Sequence, residues 1–249
     1  MQQWLKTEAL EHAHIVKPSP LPSHFVQTPK VSWSSSPDQI SLNYNPDIVV
    51  LAVRPKDVHH VAPLYTRFQS SLFISIVAGK TLETLSLLLS PSHALLRIMP
   101  NIACAIGQGT SFAIYNSHVS PAQKQSAFSL FKVTGATFWI EDEALFDKAT
   151  TLSGCGPGYV LALVESMALA GEKLGLSAEL SLNLAWNTVT GSAALLQQRE
   201  IDLISLRQTM HSIGPMTEAA LQVLQSPETG LYDLMLNAMK AALNLAQKH

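Results

Sequence analysis

The chain has 249 residues, of which 47% are apolar and 14% charged, and its formal net charge is −2. That length admits one large domain or two smaller ones. The near-neutral balance gives no electrostatic reason to expect nucleic acid as a partner, and the apolar excess points to surface buried between subunits. No unbroken apolar run approaches the roughly 18 residues of a bilayer span. The opening MQQWLKTEALEHAH has no basic start followed by an apolar core. Neither a membrane span nor a secretory signal is therefore expected. The cysteines Cys104 and Cys155 sit in no CxxC or metal-type spacing, and free thiols in a reducing cytoplasm are expected.

In chain order, the first half alternates short β-rich runs with helical ones. DIVVLAV at 47–53 is a continuous apolar run, as a strand covered on both faces should be. SLFISIVAG at 71–79, ALLRIMPN at 94–101, TSFAIYN at 110–116 and ATFWIED at 136–142 repeat the pattern. A helical PAQKQSAFSLFKVTG separates the last two. Strands alternating with helices predict βαβ units and a mostly parallel sheet. The second half has no convincing strand. Pro157 suits the first turn of a helix and Gly175 its end. Ser177 can cap a next helix to about Gln198. Shorter helices are predicted over 202–210 and 216–225, and a last one over 231–247. The helix from Tyr159 to Leu174 is apolar nearly all round, as a buried helix is. Its expected cover is a second copy of the chain. The glycine cluster ahead of it, Gly154 to Gly158, could cradle phosphate at a helix N-terminus or simply make a tight turn.

Six stretches then match one family in order. They are LAVRP (51–55), SIVAGKT (75–81), RIMPN (97–101), TLSGCGPGYV (151–160), AGEKLGL (170–176) and LRQTMHSIGPMTEAALQVL (206–224). Together they resemble pyrroline-5-carboxylate reductases, whose forms read LAVKP, R-x-MPN, LSGSGPAYV, AG-x-KLGL and VTSPGGTT. The resemblance implies that the glycine cluster opens the long helix of a dimerisation domain and is no phosphate cradle. It also aligns Met1 with the methionine that ends the family's glycine turn. On that alignment the family's first strand and glycine turn lie ahead of Met1, through a start set at an internal methionine or through decay of a gene copy.

The resemblance implies a nicotinamide cofactor, with NADPH favoured over NADH. Lys17 sits in the loop where a 2′-phosphate would lie, and no Asp is there for a 2′-hydroxyl. Cofactor contacts carry over to Ser19, to Ala52, Val53, Arg54 and Pro55, and to Ala78, Asn101 and Glu143. The substrate carboxylate falls to the loop at 212–217, where successive backbone N–H groups can form a nest. Ser212, Gly214 and Thr217 match there, and Thr209 and Met216 match positions lining the substrate. Thr217 takes the position whose hydroxyl bonds the ring nitrogen, and Glu200 an acidic position near it. Pro215 departs from the family's glycine and removes one N–H donor. No metal is expected.

The implied architecture is an α/β protein in two parts. Residues 1–143 form an NADP-binding Rossmann-type domain lacking its first strand, and residues 144–249 an all-helical dimerisation and substrate-binding domain. The implied activity is reduction of 1-pyrroline-5-carboxylate to L-proline, the last step of proline biosynthesis. A cytoplasmic homodimer or higher homo-oligomer is expected. The alternative is a catalytically impaired or inactive homologue that acts only as a helical dimer.

Overall fold

In the computed structural model, which describes residues 1–26, 28–197, 205 and 215–246, the apolar runs of the first half become strands. The order is α1 (Gln2–Lys6), β1 (Ala13–Val16), α2 (Ser23–Val26), β2 (Val31–Ser34), β3 (Ile48–Leu51), α3 (Val58–Val61), β4 (Leu72–Ser75) and α4 (Leu82–Leu88). There follow β5 (Ala94–Met99), β6 (Gly109–Tyr115), α5 (Pro121–Lys132), β7 (Gly135–Trp139) and α6 (Phe146–Ala149). A π-helical turn at Thr150–Gly154 leads into α7 (Gly156–Lys173), then α8 (Ala178–Gln197), α9 (Pro215–Leu224) and α10 (Leu231–Ala246). The predicted helix over 202–210 lies outside the described residues. The chain divides into two compact units, Met1–Cys155 with the terminal residues from Ala246, and Gly156–Leu245.

The sheet of the first unit comes in two pieces. Strands β3-β4-β5-β6-β7 form one, and β1-β2 the other. The break falls where a 3-2-1-4-5-6 order has its first strand. Among the described residues β1 and β3 therefore each have an edge without a ladder partner. Pairing is parallel except between β5 and β6, where Leu96 lies opposite Tyr115 and Met99 opposite Phe112. The link from Pro100 to Gln108 is shorter than the roughly dozen residues a parallel crossover needs, so the chain turns back.

Alternation along the strands builds a core on each face. Phe73 and Leu95 face one way and pack with Leu51, Val58, Val77 and Leu85. Leu72, Ile74, Leu96 and Ile98 face the other, against Ala127, Leu130 and Phe131 of α5. Each such side chain fully removed from water contributes about 1.5–3 kcal/mol. Helix α5 starts with a reciprocal cap. The Gln123 N–H donates to Ser120 Oγ at 3.2 Å, and the Ser120 N–H donates to Gln123 Oε1 at 3.0 Å. Pro121 stands at its first turn, where no N–H is needed.

Every regular element among the described residues of the second unit is a helix. Helices α7 and α8 form a hairpin across Leu174–Ser177, with Gly175 at φ +98° and the Leu180 N–H on Ser177 Oγ at 3.3 Å. Gly171 permits the close approach of the pair, because a Cβ there would lie 2.8 Å from Ser181 Oγ. Within one chain α7 is left largely uncovered, as its expected cover by a second copy requires. Only Ala168 of that helix is buried, while Leu161 is 64% exposed and Leu169 54%. The helical stretch Glu143–Lys173 is long and apolar enough, by length and composition, to cross a bilayer. Within the glycine cluster a Cβ on Gly154 would lie 3.2 Å from Thr150 Cγ2, while one on Gly156 or Gly158 would meet nothing within 4 Å in the single chain.

Candidate active site

Three parallel strands, β3, β4 and β5, end on the same edge of the first unit, and most of the expected cofactor residues sit on the turns there. Ala52, Val53, Arg54 and Pro55 follow β3, Ala78 follows β4, and Asn101 follows β5. Ser19 is exposed in the loop after β1. Ala52 and Ala78 are exposed and small, which leaves backbone open to a ligand. Gly79 adopts φ +67°, a left-handed conformation that lets the turn after β4 reverse toward α4. Arg54 supplies a cation, though its Nε donates to Asp57 Oδ2 at 2.8 Å. The guanidinium side chain is 74% exposed, so its remaining N–H groups face water.

Two of the expected contacts have further engagements that sequence reasoning missed. Asn101 Oδ1 accepts the Thr110 N–H at 3.3 Å, and its Nδ2 donates to the Ser153 carbonyl at 3.1 Å. Its amide thus ties β5 and β6 to the π-helical turn. Glu143 comes after β7, which runs opposite to β5. Its Oε1 accepts from the Leu82 N–H, at the start of α4, at 2.8 Å and from Arg97 at 2.5 Å. Arg97 is 2% exposed. The signal that could have flagged it is a lone arginine in an otherwise apolar run, since a buried guanidinium keeps its charge and needs a partner.

The expected substrate residues belong to the second unit. Met216 and Thr217 lie in the first turn of α9, Met216 exposed and Thr217 partly covered. Pro215 is the first residue of that helix, where its fixed φ suits the helix and the helix itself requires no N–H. Glu200, Thr209, Ser212 and Gly214 lie outside the described residues.

This donor set of strand-end backbone, one arginine and one serine hydroxyl suits the two ends of a dinucleotide. No glycine-rich strand-to-helix turn for a pyrophosphate stands at this edge among the described residues. Cys104 and Cys155 are free thiols, and no cluster of three metal-ligating side chains occurs among the described residues.

The chain is 36% identical over 79% of its length to a pyrroline-5-carboxylate reductase of Pseudomonas aeruginosa, and spans 72% of that relative. The chain belongs to the pyrroline-5-carboxylate reductase family. An Aquifex aeolicus pyrroline-5-carboxylate reductase is 31% identical over 82% of the chain and 76% of its own length. Residues 143–249 match the family model for pyrroline-5-carboxylate reductase dimerisation. Among solved structures, a pyrroline-5-carboxylate reductase from Coxiella burnetii superposes with a TM-score of 0.88 at 29% identity, covering 99% of this chain and 92% of the other. A Plasmodium falciparum pyrroline carboxylate reductase with NADP bound gives 0.82 at 27%, covering 99% and 92%. The family's Rossmann-type domain and helical dimerisation domain account for the strand-rich first half and the all-α second half.

Proposed function

We propose that the protein reduces 1-pyrroline-5-carboxylate to L-proline with NADPH. The observation that carries this is the 36% identity to the Pseudomonas aeruginosa enzyme. The expected cofactor residues after β3, β4 and β5 lie on turns at one edge of the first unit, which supports the reading. Bound reduced nicotinamide supplies the hydride. The chain's part is to hold and orient, so the lack of a nucleophile or metal constellation among its described residues is no obstacle. Exposed backbone at Ala52 and Ala78, with Arg54 and Ser19, would hold the dinucleotide's ends. In the second unit, Ser212 and Gly214 would offer backbone N–H groups to the substrate carboxylate. Thr217 would place its hydroxyl at the ring nitrogen, with Glu200, Thr209 and Met216 around it.

We infer that the partner is a second copy of the chain, held through α7. Its exposed apolar side chains fall inside the stretch matched by the dimerisation model. The two free thiols agree with a reducing cytoplasm. The test is oxidation of NADPH with pyrroline-5-carboxylate as substrate. Stoichiometric formation of L-proline is expected, and absence of turnover overturns the reading. The alternative is a helical dimer without activity. A stable dimer inert toward NADPH and the imine would establish that alternative.

A further inference from the structure

A charged side chain inside a fully buried strand asks for a reason. All six residues of β5 are buried, and Arg97 is one of them. Arginine does not lose its charge in a protein, so its burial must be offset by partners. Arg97 has two. Its terminal nitrogen donates to Glu143 Oε1 at 2.5 Å, and its guanidinium carbon lies 3.8 Å from the centre of the Phe146 ring. Its Nε is buried with no hydrogen-bond partner among the described residues. Stability alone gives no reason for this arrangement. Buried ion pairs are often no more stabilising than apolar residues of similar volume, and Leu95 and Met99 already make this face of β5 apolar.

What the pair does that an apolar residue could not is fix one carboxylate in one place. Glu143 Oε1 also accepts the Leu82 N–H at 2.8 Å. Leu82 opens α4 directly after the turn that carries Ala78 and the left-handed Gly79. One guanidinium on β5 therefore sets the segment after β7, and through Glu143 the turn after β4. The second oxygen of Glu143 has no partner among the described residues, and its side chain is 28% exposed.

We propose that Arg97 is a positioning residue for the nicotinamide cofactor. It acts through Glu143 to hold the β4–α4 turn and one carboxylate oxygen of Glu143 in the binding arrangement. This inference rests on the reading of the protein as an NADPH-dependent reductase. Arg97 itself touches neither cofactor nor substrate in this proposal.

The test measures NADPH affinity by fluorescence titration, together with melting temperature and the two KM values. It compares the protein with Arg97→Met, Arg97→Lys and Glu143→Gln. Arg97→Met should weaken NADPH binding by about tenfold or more while the folded protein persists. The KM for NADPH should rise in parallel, with the KM for the imine acid unchanged within about twofold. Arg97→Lys keeps a charge without the planar fork and should recover part of the affinity. A melting temperature that falls while NADPH affinity stays parental would show Arg97 to be scaffold only, and would overturn the proposal. Should Arg97→Met fail to fold, the other two variants decide. Weakened NADPH binding in them supports the proposal, and parental binding overturns it. An unmodified protein that binds no NADPH overturns both this inference and the reductase reading. Parental binding in the variants of an active enzyme overturns this inference alone.

Discussion

Asn101 donates from Nδ2 to the carbonyl of Ser153, 3.1 Å away and 52 residues along the chain. A π-helical turn places its carbonyls out of the usual α-helical register. Here the turn is tied through one of its own carbonyls to the loop after β5. Asn101→Ala removes this bond and the one accepted from the Thr110 N–H. Loss of about 1–3 kcal/mol is expected, read as a lower midpoint in urea at unchanged slope. An unchanged midpoint would mean that water replaces both bonds at no cost.

The exposed face of α7 makes a prediction about assembly. Leu161 is 64% exposed in the single chain. Leu161→Glu should leave the α7–α8 hairpin folded and abolish association, because a charge buried in an apolar contact would have no partner. Light scattering on the parent and variant decides. A parent that is monomeric, or a variant that still dimerises, would remove α7 from the interface.

A hydrogen-bond chain between β1 and β2 sets the charge of His14. Ser34 Oγ donates to the Ser36 carbonyl at 3.1 Å, so it accepts from His14 Nε2 at 3.0 Å. His14 Nδ1 then accepts the Ser32 hydroxyl at 2.7 Å, and Ser32 Oγ accepts from His12 Nε2 at 3.1 Å. Every bond is satisfied only with His14 neutral. Burial, and then the neighbouring His12, push its pKa below the ordinary histidine value. A depressed histidine binds fewer protons folded than unfolded. Its contribution to stability is full above about pH 6.5 and is lost as the pH falls toward the folded pKa. His14→Gln should therefore shrink the drop in melting temperature between about pH 7.5 and about pH 5.5. An equal drop in parent and variant would assign the acid sensitivity to other groups.

His93 is 2% exposed, and neither ring nitrogen finds a hydrogen-bond partner among the described residues. Its ring packs edge-on against Phe73 at 4.8 Å. Buried polar atoms without partners cost about 1–3 kcal/mol. His93→Leu keeps the volume and the backbone bonds, and should raise stability by about 1 kcal/mol or more. Thermal unfolding at neutral pH measures this, and a destabilised variant would reveal a partner for the imidazole.

Thr217 lies in the first turn of α9 behind Pro215. If its hydroxyl meets the substrate nitrogen as that atom's charge changes, Thr217→Val should lower kcat by about tenfold or more with little change in the KM for NADPH. Steady-state kinetics varying each substrate in turn separates the two. Unchanged kcat would move the chemistry away from this turn.

Much of this molecule is written locally. The runs that became β3 to β7 carry their apolar pattern in neighbouring residues. Ser177 announces the start of α8, because caps and periods act over three or four residues. The family motifs were legible for the same reason, each being a short stretch at a strand end or helix start. Tertiary structure alone decided the rest. Nothing near Arg97 in the chain says that its partner is Glu143, 46 residues on. Nor does the MPN motif say that Asn101 is committed to Ser153 and Thr110, since a side-chain amide takes whichever backbone groups the fold brings to it. Composition called for α7 to be covered by a second copy, but it could not say which of its residues stay open in one chain. That Ala168 is buried while Leu161 and Leu169 are exposed depends on where α8 packs.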